Sequence, residues 1–70
     1  METKVHSAES LRNGAWHNVS DFDGMTLADA YAKATRMGYE PYGSATPTMA
    51  KVWKPYVQDR PQIRLYLVTK

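Results

Sequence analysis

The sequence of 70 residues contains no cysteine, and its four glycines are scattered singly. Without cysteine the chain has no disulfide, no thiolate ligand for a metal and no thiol nucleophile. Because the glycines are not clustered, a glycine-rich phosphate-binding loop is also excluded. No apolar run approaches the roughly 20 residues that a membrane-spanning helix needs. These absences remove thiol chemistry, phosphate-loop chemistry and a spanning helix from the functions to consider.

Candidate catalytic and metal-binding groups are sparse. His6 lies in a polar stretch, and His17 has no acidic residue close to it in sequence. Asp21 and Asp23 belong to an Asp-Phe-Asp-Gly stretch, which is typical of a turn. The further oxygen ligands that a calcium loop places at fixed spacing are missing. We therefore expect a protein that is not an enzyme and that holds neither a metal nor another cofactor.

The composition is that of a small globular domain. Hydrophobic residues make up 43% of the chain and charged residues 23%, which is too apolar for a disordered segment. The net charge of +2 favours anions mildly, far less than in a strongly basic nucleic-acid binder. No apolar stretch follows the polar start, so we expect no secretory signal, a cytoplasmic location and no membrane partner. Whether the protein is a monomer or a dimer stays open.

The strongest local pattern lies in the middle of the chain and predicts a helix at about 27–37. Thr26 is a good N-cap, and Asp29 places a negative charge in the first turn. Gly38 is the expected residue after the helix. One apolar stripe follows the helical spacing: Leu27, Ala30, Tyr31, Ala34 and Met37.

The remaining segments predict an α+β fold. Residues 1–13 are polar and without a period, so we interpret them as a flexible N-terminal arm that precedes a single domain at 14–70. Within that domain the segments typical of strands are "GAWHNVS", "YEPY", "KVWKPYV" and "QIRLYLV". We expect the helix to pack on a small mixed sheet of three to four strands, in the order β-α-β-loop-β-β.

Two short motifs resemble known families. "GMTLADA" is similar to the helix opening of potato inhibitor I proteins, "IRLYLV" resembles their closing strand, and Trp16 and Asp59-Arg60 occupy matching places. The sequence departs from that pattern at Gln62, where a second bracing arginine would stand, and in the long gap between Met49 and Asp59. The same helix opening also resembles PASTA domains, which bind cell-wall fragments or β-lactams.

The inhibitor resemblance implies a serine protease inhibitor that presents loop 44–50 as a substrate mimic. Thr48 and Met49 would then precede the reactive bond, Ala50 would follow it, and Arg60 or Arg64 would brace the loop. Proline and β-branched residues in the loop would stiffen it, which lowers the entropy cost of binding. The alternative interpretation of Met49 is a core residue at the start of a strand.

A basic, aromatic segment supports two alternatives to inhibition. The hairpin expected at 51–66 combines cations with flat rings, as single-stranded nucleic acid requires. The same aromatic rings are also typical of a small regulatory protein that binds a protein partner. Alternatively, they only cover the outer face of the sheet. A protein partner is the first expectation and nucleic acid the second. The candidate binding residues are Thr48, Met49, Ala50, Trp53, Lys54, Tyr56, Arg60, Arg64 and Tyr66.

Overall fold

The computed structural model describes residues 2–69, which form five β-strands and one α-helix. The strands join in a single antiparallel sheet with the order β2-β1-β5-β4-β3, so the first and last strands of the chain lie side by side at its centre. The elements are β1 (Thr3–Arg12), β2 (Ala15–Val19), α1 (Leu27–Arg36), β3 (Glu40–Pro41), β4 (Met49–Trp53) and β5 (Gln62–Thr69).

This architecture corrects the predicted fold class. The sheet has five strands and is wholly antiparallel, rather than three to four strands in a mixed sheet, and the element order is β-β-α-β-β-β. The predicted flexible arm at 1–13 is also wrong, because most of it forms β1, which pairs with β2 on one side and β5 on the other. The protein is therefore mostly sheet.

An irregularity in β1 explains why its sequence does not look like a strand. The buried residues are Val5, Ala8 and Ser10, so the spacing changes from three residues to two. A register shift between Val5 and Ser7 marks a β-bulge at that point. A bulge inserts one extra residue and breaks the alternation on which strand prediction depends.

The turn between β1 and β2 consists of Asn13 and Gly14, both in the left-handed region with φ of 51° and 78°. Positive φ at both central residues is the requirement of a type I′ hairpin turn, and Asn-Gly is the pair that meets it most readily. This turn places β2 directly beside β1, with Arg12 opposite Ala15.

Helix α1 covers one face of the sheet and starts where the sequence predicts. The Thr26 side chain accepts a hydrogen bond from the Asp29 N–H at 3.2 Å, and Met37 is the C-cap. Ala30 and Ala34 are buried against the sheet, and their small side chains allow a close approach. The core on this face consists of Val5, Ala8, Phe22, Ala30, Ala34, Ala50, Val52, Ile63, Leu65 and Leu67.

No helix within residues 2–69 is long and apolar enough to cross a membrane. The one helix of these residues lies on the core side of the sheet and leaves the opposite side without a covering helix.

Candidate functional site

The sheet face opposite α1 is the candidate site, and we call it the open face. In β5 the alternate residues Ile63, Leu65 and Leu67 are buried, so Gln62, Arg64 and Tyr66 lie on the other face. Residues directly opposite one another on neighbouring strands share a face. The register therefore assigns to the open face Ser7, Glu9, Leu11, Trp16, Asn18, Glu40, Met49, Lys51, Trp53, Gln62, Arg64 and Tyr66.

Arg64 lies at the middle of the open face. Its neighbours across the strands are Glu9 on β1 and Lys51 on β4. Its guanidinium lies over the ring of Trp16, with its central carbon 3.7 Å from the ring centroid. Because β1 separates β2 from β5, the two side chains meet above β1. The planar guanidinium is suited to such stacking on an aromatic ring.

Tyr66 and Glu9 form the second contact of this half of the open face. The Tyr66 hydroxyl donates a hydrogen bond of 2.6 Å to Glu9 Oε1, and both residues are half-buried. A hydroxyl that donates to a carboxylate makes one of the stronger hydrogen bonds in proteins. The bond fixes the Tyr66 side chain in position beside the Trp16–Arg64 stack.

Trp53 and Tyr42 form an aromatic pair at the other end of the open face. Their ring centroids are 4.2 Å apart, and the planes are inclined by 41°. The Lys51 ammonium lies 5.3 Å from the Tyr42 ring centroid. Tyr42 follows β3, and its N–H donates to the Lys51 carbonyl at 2.9 Å, which continues the sheet pattern past Pro41. The open face thus carries an aromatic ring beside a cation at both ends.

The positive charges at the centre of the open face are not neutralised by ion pairs with other residues that the structure describes. Within residues 2–69 the one salt bridge joins Lys4 to Glu2 at 3.9 Å. Arg64 and Lys51 lie directly opposite each other, and in this part of the chain neither has a carboxylate ion-pair partner. Two like charges at opposite positions of a sheet are unfavourable unless something else compensates. An anion bound between them would supply that compensation.

The predicted binding residues divide between the open face and other parts of the molecule. Met49, Trp53, Arg64 and Tyr66 lie on the open face. Ala50 does not, because it is 2% exposed and belongs to the core. A residue with its side chain in the core cannot contact a partner directly.

The other predicted residues lie in two loops. Thr48 belongs to the loop before β4, whereas Lys54, Tyr56 and Arg60 belong to the loop between β4 and β5. The Lys54 ammonium lies 4.8 Å from the Tyr39 ring, away from the Trp53 pair. Tyr56 is 92% exposed.

The loop at 44–50 differs from what the inhibitor resemblance implies. Met49 is the first residue of β4, as the alternative interpretation expected, but it lies opposite Tyr66 on the open face and is not a core residue. The Thr48 carbonyl accepts a hydrogen bond from the Leu67 N–H at 2.8 Å, and the supposed reactive bond between Met49 and Ala50 lies within β4. Arg64 lies on Trp16 instead of bracing the loop.

Several residues of the open face were not among the predicted binding residues, and four of them make the contacts described above: Glu9, Trp16, Tyr42 and Lys51. Glu9 belongs to β1 and Trp16 to β2, which the sequence interpretation separated as an arm and an isolated strand. The Asn13-Gly14 pair could have joined them, because it is a strong signal for a hairpin. Tyr42 has no comparable local signal, since its place depends on the pairing of β3 with β4.

One cavity lies beyond the end of the β1–β5 pairing and has a volume of about 510 Å³. It is lined by Leu11, Arg12, Asn13, Gly14, Gln58, Asp59 and Pro61. Within residues 2–69 no group of histidine, aspartate and glutamate side chains is placed to hold a metal ion.

Comparison with protein-family models, with curated proteins and with solved structures found no match for this chain. The functional argument therefore depends on the geometry of the open face.

Proposed function

We propose that the protein is a non-enzymatic module that binds single-stranded nucleic acid on the open face of its sheet. The observation that carries this proposal is the presence of an aromatic ring and an adjacent cation at both ends of that face, Trp16 with Arg64 and Tyr42 with Lys51. Unpaired bases stack on aromatic rings, and phosphates between them require positive charge. The open face offers both on one exposed sheet.

The charge distribution supports the same ligand. Arg64 and Lys51 lie side by side near the centre of the face, where a phosphate between them would relieve their mutual repulsion. Three acidic residues, Asp21, Asp23 and Asp29, lie outside the strands, in the turn after β2 and in the first turn of α1. Glu9 and Glu40 do lie on the open face, opposite Arg64 and Trp53, but within residues 2–69 neither forms an ion pair with Arg64 or Lys51.

The small net charge implies modest and salt-dependent affinity. Two phosphate contacts predict that the logarithm of the association constant falls with a slope of about −1.4 against the logarithm of salt concentration, at about −0.7 for each contact with a single strand. Most of the sequence-independent affinity then comes from stacking, at about 1–3 kcal/mol for each base.

Fluorescence anisotropy with a labelled single strand of about 12 nucleotides tests the proposal, since this length falls within the range that small single-strand-binding folds cover. We expect binding at low salt that weakens as salt is added, for DNA or RNA. The Arg64→Ala variant should bind more weakly and with a salt slope reduced by about 0.7. An anisotropy that does not change at low salt would reject the proposal.

Two matched comparisons distinguish the loss of a contact in the site from a general loss of charge or of stability. Arg36→Ala removes the same charge from the exposed last turn of α1, away from the open face, and should keep most of the affinity and the wild-type slope. Trp53→Phe keeps a ring beside Tyr42, whereas Trp53→Leu keeps apolar bulk without a ring. We expect Trp53→Leu to lose more affinity than Trp53→Phe, by about fivefold or more. Equal losses in Arg64→Ala and Arg36→Ala would also contradict the proposal.

Protease inhibition through loop 44–50 stays a prediction from the sequence. The placement of Met49 in β4 and of Arg64 on Trp16 does not favour it over the open face. Incubation with subtilisin-like and chymotrypsin-like proteases checks it directly, and rapid cleavage after Met49 would contradict it. A protein partner on the open face is the outcome to pursue if both tests are negative.

A further inference from the structure

β2 is an edge strand of five residues, with β1 on one side and, within residues 2–69, no strand on the other. The Asn13-Gly14 turn determines which backbone groups are free at this edge. The Arg12–Ala15 pair that closes a two-residue turn exchanges both of its N–H···O bonds, and pairs alternate from there. The N–H and C=O groups of Ala15, His17 and Val19 are therefore directed to β1. Those of Trp16 and Asn18 are directed outwards.

The two edges of the sheet differ in their protection against pairing. The β3 edge has two residues, and one of them is Pro41, which cannot donate a hydrogen bond. β2 contains no proline and no lysine, arginine, aspartate or glutamate. Natural edge strands usually carry such residues to prevent association with another strand. The β2 edge lacks them and is open to pairing.

We propose that two copies of this chain pair through β2, antiparallel and about a two-fold axis at His17. In this register Trp16 of each copy lies opposite Asn18 of the other, so both outward-directed residues of both copies form hydrogen-bonded pairs. A register centred on Trp16 or on Asn18 would pair one of them with Gly14, which belongs to the turn, or with Ser20, which lies beyond β2. Since β2 is uncharged, the pairing brings no like charges together within the strand.

The pairing would join two five-stranded sheets into one, with their open faces on the same side. The two Trp16 side chains would be diagonal neighbours across the new strand pair, about 7–8 Å apart. A nucleic-acid strand could then cross from one copy to the other. This last consequence depends on the proposed function, whereas the pairing itself does not. An edge of five residues buries a small area, so we expect a weak, concentration-dependent dimer.

The absence of cysteine from the chain allows a direct test by cross-linking. At the two-fold axis, His17 lies opposite His17 of the second copy in a non-hydrogen-bonded pair, whose Cα separation of about 4.5 Å falls within the range for a disulfide. We expect His17→Cys to form a disulfide-linked dimer under mild oxidation, without nucleic acid present. The matched control is His6→Cys, an exposed residue at the bulge of β1, which should stay mostly monomeric. Equal cross-linking of the two variants would overturn the proposal.

Sedimentation of the unmodified protein gives the second measurement. We expect the mass to rise above the monomer value of 8.0 kDa with increasing concentration. The His17→Lys variant should remain monomeric, because like charges would face each other across the axis. His17→Thr, which adds no charge and suits a strand, should associate as the wild type does. Wild-type protein that stays monomeric at all concentrations, or a His17→Lys variant that associates equally well, would overturn the proposal. A dimer that fails to bind single strands would reject the proposed function alone.

Discussion

At the scale of single residues, the side chains of the open face do not pair with one another by opposite charge. Arg64 lies directly opposite Glu9, yet it stacks on Trp16, and Glu9 accepts from the Tyr66 hydroxyl instead. The carboxylate is thereby occupied by a neutral donor, and the guanidinium keeps its charge available. An ion pair between Arg64 and Glu9 would neutralise the centre of the proposed binding surface.

The Tyr66→Phe variant tests this arrangement. It removes the donor to Glu9 and keeps the ring, so we expect the free energy of unfolding to fall by about 1 kcal/mol, less than for a fully buried bond to a charged group. Urea denaturation measures the change. Tyr42→Phe is the matched control, because within residues 2–69 the Tyr42 hydroxyl has no hydrogen-bond partner, and it should change stability by less than about 0.5 kcal/mol. Similar losses in the two variants would contradict the role of the hydrogen bond.

At the scale of elements, local signals decide what can be predicted from the sequence. The helix depends on a cap, a first-turn acid and an apolar stripe that all lie within about a dozen residues, and its predicted start is confirmed. The strands depend on partners elsewhere in the chain. β5 alternates regularly and was predicted as a strand, whereas the bulge obscures the alternation in β1, and β3 is only two residues long. The sequence therefore predicted Met49, Trp53, Arg64 and Tyr66 on β4 and β5, but neither Lys51 nor the residues on β1 and β2.

The N-cap of α1 should contribute measurably to the stability of the protein. Thr26→Ala removes the side-chain oxygen that accepts from the Asp29 N–H, and we expect a loss of about 1 kcal/mol in the free energy of unfolding. Thr35→Ala makes the same change within the exposed part of α1, where the Thr35 hydroxyl donates to the Tyr31 carbonyl. Since such bonds do little for a helix and alanine has the higher helix propensity, we expect it to be neutral or slightly stabilising. Thermal or urea unfolding that destabilises both variants equally would contradict the assigned N-cap.

At the scale of the whole molecule, the two ends of the chain meet in the middle of the sheet. Thr3 pairs with Thr69, and the register continues from there to Ser10 and Ile63. The candidate site depends on the β1–β5 pairing, because this pairing brings Glu9 and Trp16 into contact with Tyr66 and Arg64. Contacts between positions so far apart in sequence have no local signature, which is why the sequence interpretation separated the two halves. Such non-local pairing also favours slower folding than in a helical domain of the same size.

Because β1 lies inside the sheet, its buried side chains should contribute to stability, which those of a flexible arm would not. Val5 is 2% exposed, whereas the adjacent His6 is exposed at the bulge. We expect Val5→Ala to lower the free energy of unfolding by about 2 kcal/mol through lost burial and the cavity that remains. That is a large share of the stability of a domain this small. His6→Ala should change it by less than about 0.5 kcal/mol, as an exposed substitution does. Equilibrium urea unfolding of both variants measures the difference, and a Val5→Ala protein as stable as His6→Ala would mean that β1 does not hold the sheet together.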